Sequence, residues 1–164
     1  MTNRALLQRS GGERAEQRTS GVFGSATEPP PAHPELRLGA KALVRSGGRV
    51  LLVKERRVDG SMFWSLPGGG LEADESLPEC LRREIREETQ CRSTVKGVVG
   101  SCTYRHTSRP TTTVYVVFET VLETEPEPNP GEAVVECAWV DPTDLPAPTL
   151  DPMKYVVEDA TSGE

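Results

Sequence analysis

The chain has 164 residues, room for one domain with a real core, but hydrophobic residues make up only 35% against 27% charged. That apolar share is low for a chain folded throughout and predicts some unfolded length. A net charge of −6 argues against nonspecific binding to nucleic-acid polymers or anionic membranes. It leaves an anionic small-molecule substrate open, because a bound divalent cation reverses the local sign.

Taken in order, residues 1–35 read as an unfolded tail. Apolar residues are sparse after Leu7, and Glu28-Pro-Pro-Pro-Ala-His-Pro34 is stiff and polar. Glu13 and Glu16 interrupt the arginine pattern that an organelle transit peptide would show, and there is no secretory apolar core. No apolar run is long enough for a membrane span. Cys80, Cys91, Cys102 and Cys137 lack CxxC spacing, and His33 and His106 are the sole histidines. Free thiols in a reducing compartment, hence a cytoplasmic protein, are the simple expectation, with zinc disfavoured.

The folded domain is expected over 36–160. Leu38 to Arg45 reads as a strand, Ser46-Gly47-Gly48 as a tight turn, and Arg49 to Lys54 as the returning strand. After a polar loop, Leu66-Pro67-Gly68-Gly69-Gly70 is expected to lack regular structure. Ser76 to Glu88 reads as a helix, with Ser76 as N-cap, Glu79 completing a capping box, and Pro78 in the first turn. Leu77, Cys80, Leu81 and Ile85 form its apolar stripe. Thr94 to Arg105, Thr111 to Leu122 and Val134 to Val140 read as strands, separated by an acidic, proline-rich loop over 123–131. Asp151-Pro152 opens a closing helix with Met153, Val156, Val157 and Ala160 on one face. The order makes a mixed α/β domain.

The acidic end of the first helix carries the chemistry. Glu84 and Glu88 lie one turn apart, and Glu87 follows Glu84 by three, so the three carboxylates converge on one edge. Their mutual repulsion and the negative end of the helix dipole both oppose this placement. A cation would offset it, and oxygen-only ligands suit magnesium or manganese. The plain alternative is a solvated acidic face paired with Arg82, Arg83 and Arg86. Upstream, the glycine loop can expose backbone N–H and C=O groups to a ligand, and Glu72 and Glu75 add carboxylates between loop and helix.

Together these residues resemble the Nudix box. Gly69, Glu75, Arg83-Glu84-Ile85 and Glu87-Glu88 stand at the fixed positions; Cys91 is a lenient apolar match, and Gln90 replaces the last glycine. The similarity extends over roughly Leu36 to Asp159. The resemblance implies an α/β/α sandwich around a mixed central sheet, and an enzyme that cleaves the pyrophosphate bond of a nucleoside diphosphate linked to another group. Nucleoside triphosphates, nucleoside-diphosphate sugars such as ADP-ribose and dinucleoside polyphosphates all fit. By the same resemblance, Glu84, Glu87 and Glu88 are catalytic residues that hold Mg²⁺ or Mn²⁺, with the Gly68 carbonyl and Glu132 as further ligands. One of these glutamates, or one from a later loop, would be the general base. Glu75 and Arg83 brace the box by an ion pair. Gly69, Gly70 and Arg105 are assigned to substrate; Arg105 and His106 precede a turn at Pro110, where a plain surface loop is the favoured alternative to a phosphate or base contact, and Glu136 is a weaker alternative to Glu132. Gln90 can take the left-handed cap geometry at a cost of about 1 kcal/mol. Trp64 offers a stacking face for a nucleobase, but packing beside the loop fits the general burial of large aromatics better. The cysteines read as packing residues. Nudix enzymes include homodimers, though no interface is legible here. A silent nucleotide-sensing module is the alternative to an enzyme; such modules lose box carboxylates, and this chain keeps them.

Overall fold

The structure, a computed structural model, describes residues 35–162. The tail expected over 1–35 lies outside the described residues, apart from Glu35. Strands β1 (Glu35–Leu43), β2 (Arg45–Ser46), β3 (Arg49–Arg56), β4 (Met62–Ser65) and β5 (Gly68–Gly70) precede helix α1 (Leu77–Thr89). Then come β6 (Ser93–Arg105), β7 (Thr111–Leu122), a single 3-10 turn (Pro130–Glu132), β8 (Val134–Val140) and helix α2 (Asp151–Ser162).

The strands form two four-stranded sheets. The first runs β5-β1-β7-β6, with β1 and β7 parallel and the outer pairs antiparallel. In the second, β3 is central. Val50 pairs with both Arg45 and Val140, and Val53 with both Ser65 and Cys137. Strands β2 and β4 therefore share one edge of β3, and β8 holds the other.

Period-2 alternation along the strands sorts the core onto two faces. Ala40 and Ala42 of β1, Val44 just after it, Leu51 and Phe118 pack with Cys80, Leu81 and Ile85 of α1. Their neighbours Leu43, Val50, Leu52 and Val117 pack with Trp64 and Leu66, and with Met153, Val156 and Val157 of α2. Both clusters draw on both sheets, so the strands make a middle layer with a helix on each face. That is the α/β/α sandwich expected. Trp64 is buried, with its ring in the second cluster, so it packs rather than presenting a stacking face.

One expectation fails. The glycine run is not irregular: Gly68–Gly70 is strand β5, paired antiparallel with Gly39, Ala40 and Lys41 of β1. Glycine weakens a strand by propensity, but here it permits a close backbone approach that side chains would block. Gly68 has φ +126°, and a Cβ there would collide with the Ala40 carbonyl. Strand β4, Met62–Ser65, also forms where only a lead-in to the loop was expected.

Helix α1 begins as its sequence predicts. The Ser76 hydroxyl accepts from the Glu79 N–H, and the Glu79 carboxylate accepts from the Ser76 N–H. Its stripe holds α1 to the sheets, and Ile85 is fully buried at the centre. Ile85→Ala is expected to lower unfolding free energy by about 3 kcal/mol, read as a shifted midpoint in urea denaturation. A loss below about 1 kcal/mol would contradict this packing role.

Candidate active site

Gly68 is the joint of the site. Its N–H donates to Glu88 Oε2 at 2.9 Å. Its carbonyl accepts from Lys41 Nζ at 2.6 Å, because the β1–β5 register sets Lys41 directly opposite Gly68. Glu88 is 6% exposed and Lys41 4% exposed, so a carboxylate and an ammonium are both buried here. Burial pushes the Glu88 carboxyl well above the usual carboxylate range, with Glu55 adding to the rise and Lys41 opposing it. Burial alone would pull Lys41 down, but Glu55, Tyr115, Glu88 and Glu84 outweigh it and leave the ammonium stabilised. The Lys41 ammonium also lies 5.1 Å from the centre of the Tyr115 ring.

Glu84, one turn before Glu88, lies against Gly69. A Cβ on Gly69 would meet the Glu84 carboxyl group at 2.5–2.7 Å. Burial raises the Glu84 carboxyl too, against the pull of Arg83. Arg83 organises the rest of the box. It donates to both Glu75 oxygens, at 2.7 and 3.1 Å, and to the Gly70 carbonyl at 3.0 Å. It also reaches Glu84 at 3.0 Å and Glu87 at 3.3 Å. Through Glu75 and Gly70 this guanidinium joins helix, loop and β5, and it holds the Glu75 carboxyl down at about 2.

The helix terminus is closed without glycine. Gln90 adopts φ 59°, ψ 17°, and its N–H donates to the Arg86 carbonyl. Its side chain donates to the Pro128 carbonyl at 3.2 Å. The last carbonyls of α1 take partners from the acidic loop: the Glu127 N–H bonds Thr89, the Asn129 N–H bonds Glu88, and the Asn129 side chain bonds Glu87. The orphaned ends of the helix are thus satisfied by residues 127–129.

These groups open onto a cavity of about 720 Å³. Of the residues assigned from sequence, Gly68, Gly69, Glu84, Glu88 and Glu132 line it. Glu87 is directed to Arg83, and Gly70 accepts from the same guanidinium. Glu136 pairs with Lys54 at 3.4 Å. Arg105 is exposed and does not line the cavity, whereas its neighbours Tyr104 and His106 do. Tyr104 and His106 make an edge-to-face pair at 4.8 Å, and His106 shares a hydrogen bond with Thr113. Burial, followed by Arg109, lowers the His106 imidazole.

Sequence reasoning missed Lys41, Glu55, Phe63, Tyr104 and Tyr115 in this lining. For Lys41 a signal existed: it is the one charge inside the apolar run Leu38 to Val44. For the others there was none, since each depends on pairing between distant strands. The cysteines are packing groups: burial pushes the Cys80 thiol up to about 12 and Cys137 to about 11, far from thiolates at neutral pH.

The donor set suits a hard divalent cation. Glu84 and Glu88 share the cavity wall with the Gly68 carbonyl, all oxygen donors, and burial opposes the charge of both carboxylates. Among the described residues, no three His, Cys, Asp or Glu side chains stand close enough to hold one ion together, so the backbone oxygen matters to the count.

Residues 35–160 match the NUDIX domain model. The chain belongs to the Nudix family. The enzyme class expected from the sequence goes with that membership. Among curated relatives, the chain is 32% identical over 115 residues to the nucleoside triphosphatase NudI of Escherichia fergusonii, covering 63% of this chain and 80% of that one. It is 41% identical over 70 residues to a MutT-like protein of Streptomyces ambofaciens, covering 43% and 42%. Against the phosphatase NudJ of Escherichia coli it is 45% identical over 47 residues, covering 29% and 30%. The match therefore spans less than half the length of two of these three relatives. In fold, it resembles a MutT NUDIX hydrolase from Burkholderia pseudomallei, with TM-score 0.69 at 24% identity, over 76% of this chain and 98% of that one. It also resembles an ADP-ribose pyrophosphatase from Streptococcus suis, with TM-score 0.58 at 28% identity, over 76% and 87%. No helix among the described residues is long and apolar enough to cross a membrane.

Two glycines separate fold from site. Gly68→Ala forces a side chain into left-handed backbone against the Ala40 carbonyl and is expected to cost about 2 kcal/mol or more. Gly69→Ala meets first the movable Glu84 carboxyl, so stability should fall by less than about 1 kcal/mol while Mg²⁺ affinity drops; calorimetry on both variants reads the contrast. The Arg83–Glu75 pair gives a pH signature. A carboxyl lowered from 4.5 to about 2 lends stability that is present above pH 4.5 and lost as pH falls through 2. The melting-temperature difference between wild type and Glu75→Gln should therefore close over that window; a difference constant from pH 6 to pH 2 would count against the pair.

Proposed function

We propose that this protein hydrolyses the pyrophosphate bond of a nucleoside diphosphate linked to another group. Glu84, Glu88 and the Gly68 carbonyl would hold Mg²⁺, or Mn²⁺ in its place; Glu132 is a further carboxylate on the cavity wall, and Glu87, turned to Arg83 here, would join the ion only by leaving that pair. The observation that carries the reading is the placement of Glu84 and Glu88, half-buried and buried, against the Gly68–Gly69 backbone on one cavity wall. Two like-charged carboxylates sit there beside the negative end of α1, where elementary electrostatics disfavours them. A bound divalent cation would supply the compensation and so let a polyphosphate approach.

The chain's own residues divide the work. Arg83 and Glu75 fix the loop to the helix, so the glutamates and the Gly69 backbone keep their relation when substrate enters. Burial of Glu88 strengthens its interactions with whatever charge it meets. When bound between Glu84, Glu88 and the Gly68 carbonyl, a divalent cation would supply charge neutralisation for the phosphoryl oxygens. The attacking water gives its proton to a carboxylate on the wall, with Glu84, Glu88 and Glu132 as candidates, and one new P–O bond replaces the old one. Nucleoside triphosphates and nucleoside-diphosphate sugars such as ADP-ribose both present the required linkage. Relatives named a nucleoside triphosphatase and an ADP-ribose pyrophosphatase support testing both classes first.

The test is product release from a panel of nucleoside triphosphates, nucleoside-diphosphate sugars and dinucleoside polyphosphates, with and without Mg²⁺. Turnover should require the metal. Glu88→Gln keeps an acceptor for the Gly68 N–H but removes the charge, and should lower kcat by about a hundredfold or more. Equal rates for variant and wild type would remove Glu88 from the reaction. A wild type that binds nucleotides tightly and cleaves none would be a sensing module instead.

A further inference from the structure

Lys41 is a buried ammonium whose bonding is incomplete. An ammonium has three N–H donors, and among the described residues one of them is used, on the Gly68 carbonyl. The residue is 4% exposed and yet lines the cavity. The Tyr115 ring takes one flank of the charge, and Glu55, Glu84 and Glu88 surround it electrostatically without a direct hydrogen bond. A buried charge left short of partners is costly. Position 41 is moreover fixed in the middle of β1, between Ala40 and Ala42 of the core, so the ammonium cannot swing away into solvent. It is a permanent cation aimed into the cavity that the carboxylates share.

We propose that Lys41 binds a phosphate oxygen of the pyrophosphate group with its free N–H donors, fixing substrate on the side of the Gly68 carbonyl. The proposal rests on reading the cavity as a pyrophosphate site. The geometry separates this role from that of the carboxylates. Glu84 and Glu88 carry the wrong sign to touch phosphate directly, while Lys41 carries the right one and has donors to spare. The bond to Gly68 orients the ammonium, and the β1–β5 register fixes where its stem begins, so binding needs little reordering.

The experiment uses the full chain, with inorganic pyrophosphate as probe and isothermal calorimetry as readout, together with a separate Mg²⁺ titration. Lys41→Met keeps the stem and removes the charge. It should bind pyrophosphate about ten- to a hundredfold more weakly than wild type in Mg²⁺, the loss typical of one charge-assisted hydrogen bond. Its Mg²⁺ affinity should be equal or higher, since a positive charge beside the carboxylates has gone. Should the Met variant melt below assay temperature, Lys41→Gln repeats the comparison with a shorter, uncharged side chain that keeps polar N–H donors. Pyrophosphate affinity within about twofold of wild type in the folded variant would overturn the proposal, as would a parallel loss of Mg²⁺ binding, which would make Lys41 a pin for the Gly68 carbonyl. A wild type that binds no pyrophosphate overturns it as well. A wild type that binds pyrophosphate through Lys41 but cleaves no nucleotide keeps this assignment and sinks the hydrolase reading alone.

Discussion

Everything in the site depends on the double use of Gly68. Its N–H holds Glu88, its carbonyl holds Lys41, and each partner is a buried charge. Helix α1, strand β5 and strand β1 therefore meet at one residue through two charge-assisted hydrogen bonds, which are shorter and stronger than neutral ones. Gly68 can serve both because it sits at φ +126° with its missing Cβ turned to the Ala40 carbonyl. A side chain there would part β5 from β1 and take both charges out of register. The same constraint explains why glycine occupies a strand. The strand exists to bring backbone close to carboxylates, and its lack of side chains is what permits the approach.

The arrangement is unfavourable by local rules and is upheld from outside the helix. Three glutamates crowd the negative end of α1, and burial raises the carboxyls of Glu84 and Glu88. Arg83 offsets part of the repulsion by touching Glu75, Glu84 and Glu87 at once. The helix end itself is secured by residues 127–129, whose backbone and Asn129 side chain take the carbonyls of Glu87, Glu88 and Thr89. That support compensates for Gln90, which accepts a left-handed conformation that glycine would adopt freely. Violations of local preference that are compensated elsewhere mark functional positions rather than errors of packing.

What the sequence made legible follows from where the information lies. Helix α1 was readable to its cap because the stripe of Cys80, Leu81 and Ile85 and the Ser76–Glu79 box are local. Strands β7 and β8 were readable to the residue because β-branched runs end at clear breaks. Strand β5 was not, because three glycines carry no strand propensity, and what makes them a strand is Lys41 and its neighbours 27 or more residues earlier. Glu55 and Tyr115 escaped for the same reason. Their approach to Lys41 depends on sheet partners far apart in sequence, and the pairing of β3 with β8 includes a register shift at Lys54/Glu55, a device common beside sites. Choosing Arg105 over its neighbours shows the limit of reading a strand end without its register. Side chains alternate, so Tyr104 and His106 face the cavity while Arg105 faces solvent.

Chemistry and substrate choice are consequently written in different parts of the chain. On the proposed reading the box supplies Gly69, Glu84 and Glu88, groups that would act on a phosphoric anhydride whatever is attached to it. The rest of the lining comes from elsewhere: Arg57 stacked 4.1 Å from the Phe63 ring, and the Tyr104–His106 pair at the end of β6. These residues sit at strand ends and in connecting loops, where sequence can vary without disturbing the sandwich. A box can therefore be recognised across chains that share little else, while the group it acts on must be read from the cavity each chain builds. In this chain that cavity joins the buried Lys41 ammonium to the Arg57–Phe63 and Tyr104–His106 pairs, which on that reading would take a phosphate at one point and a planar group at another.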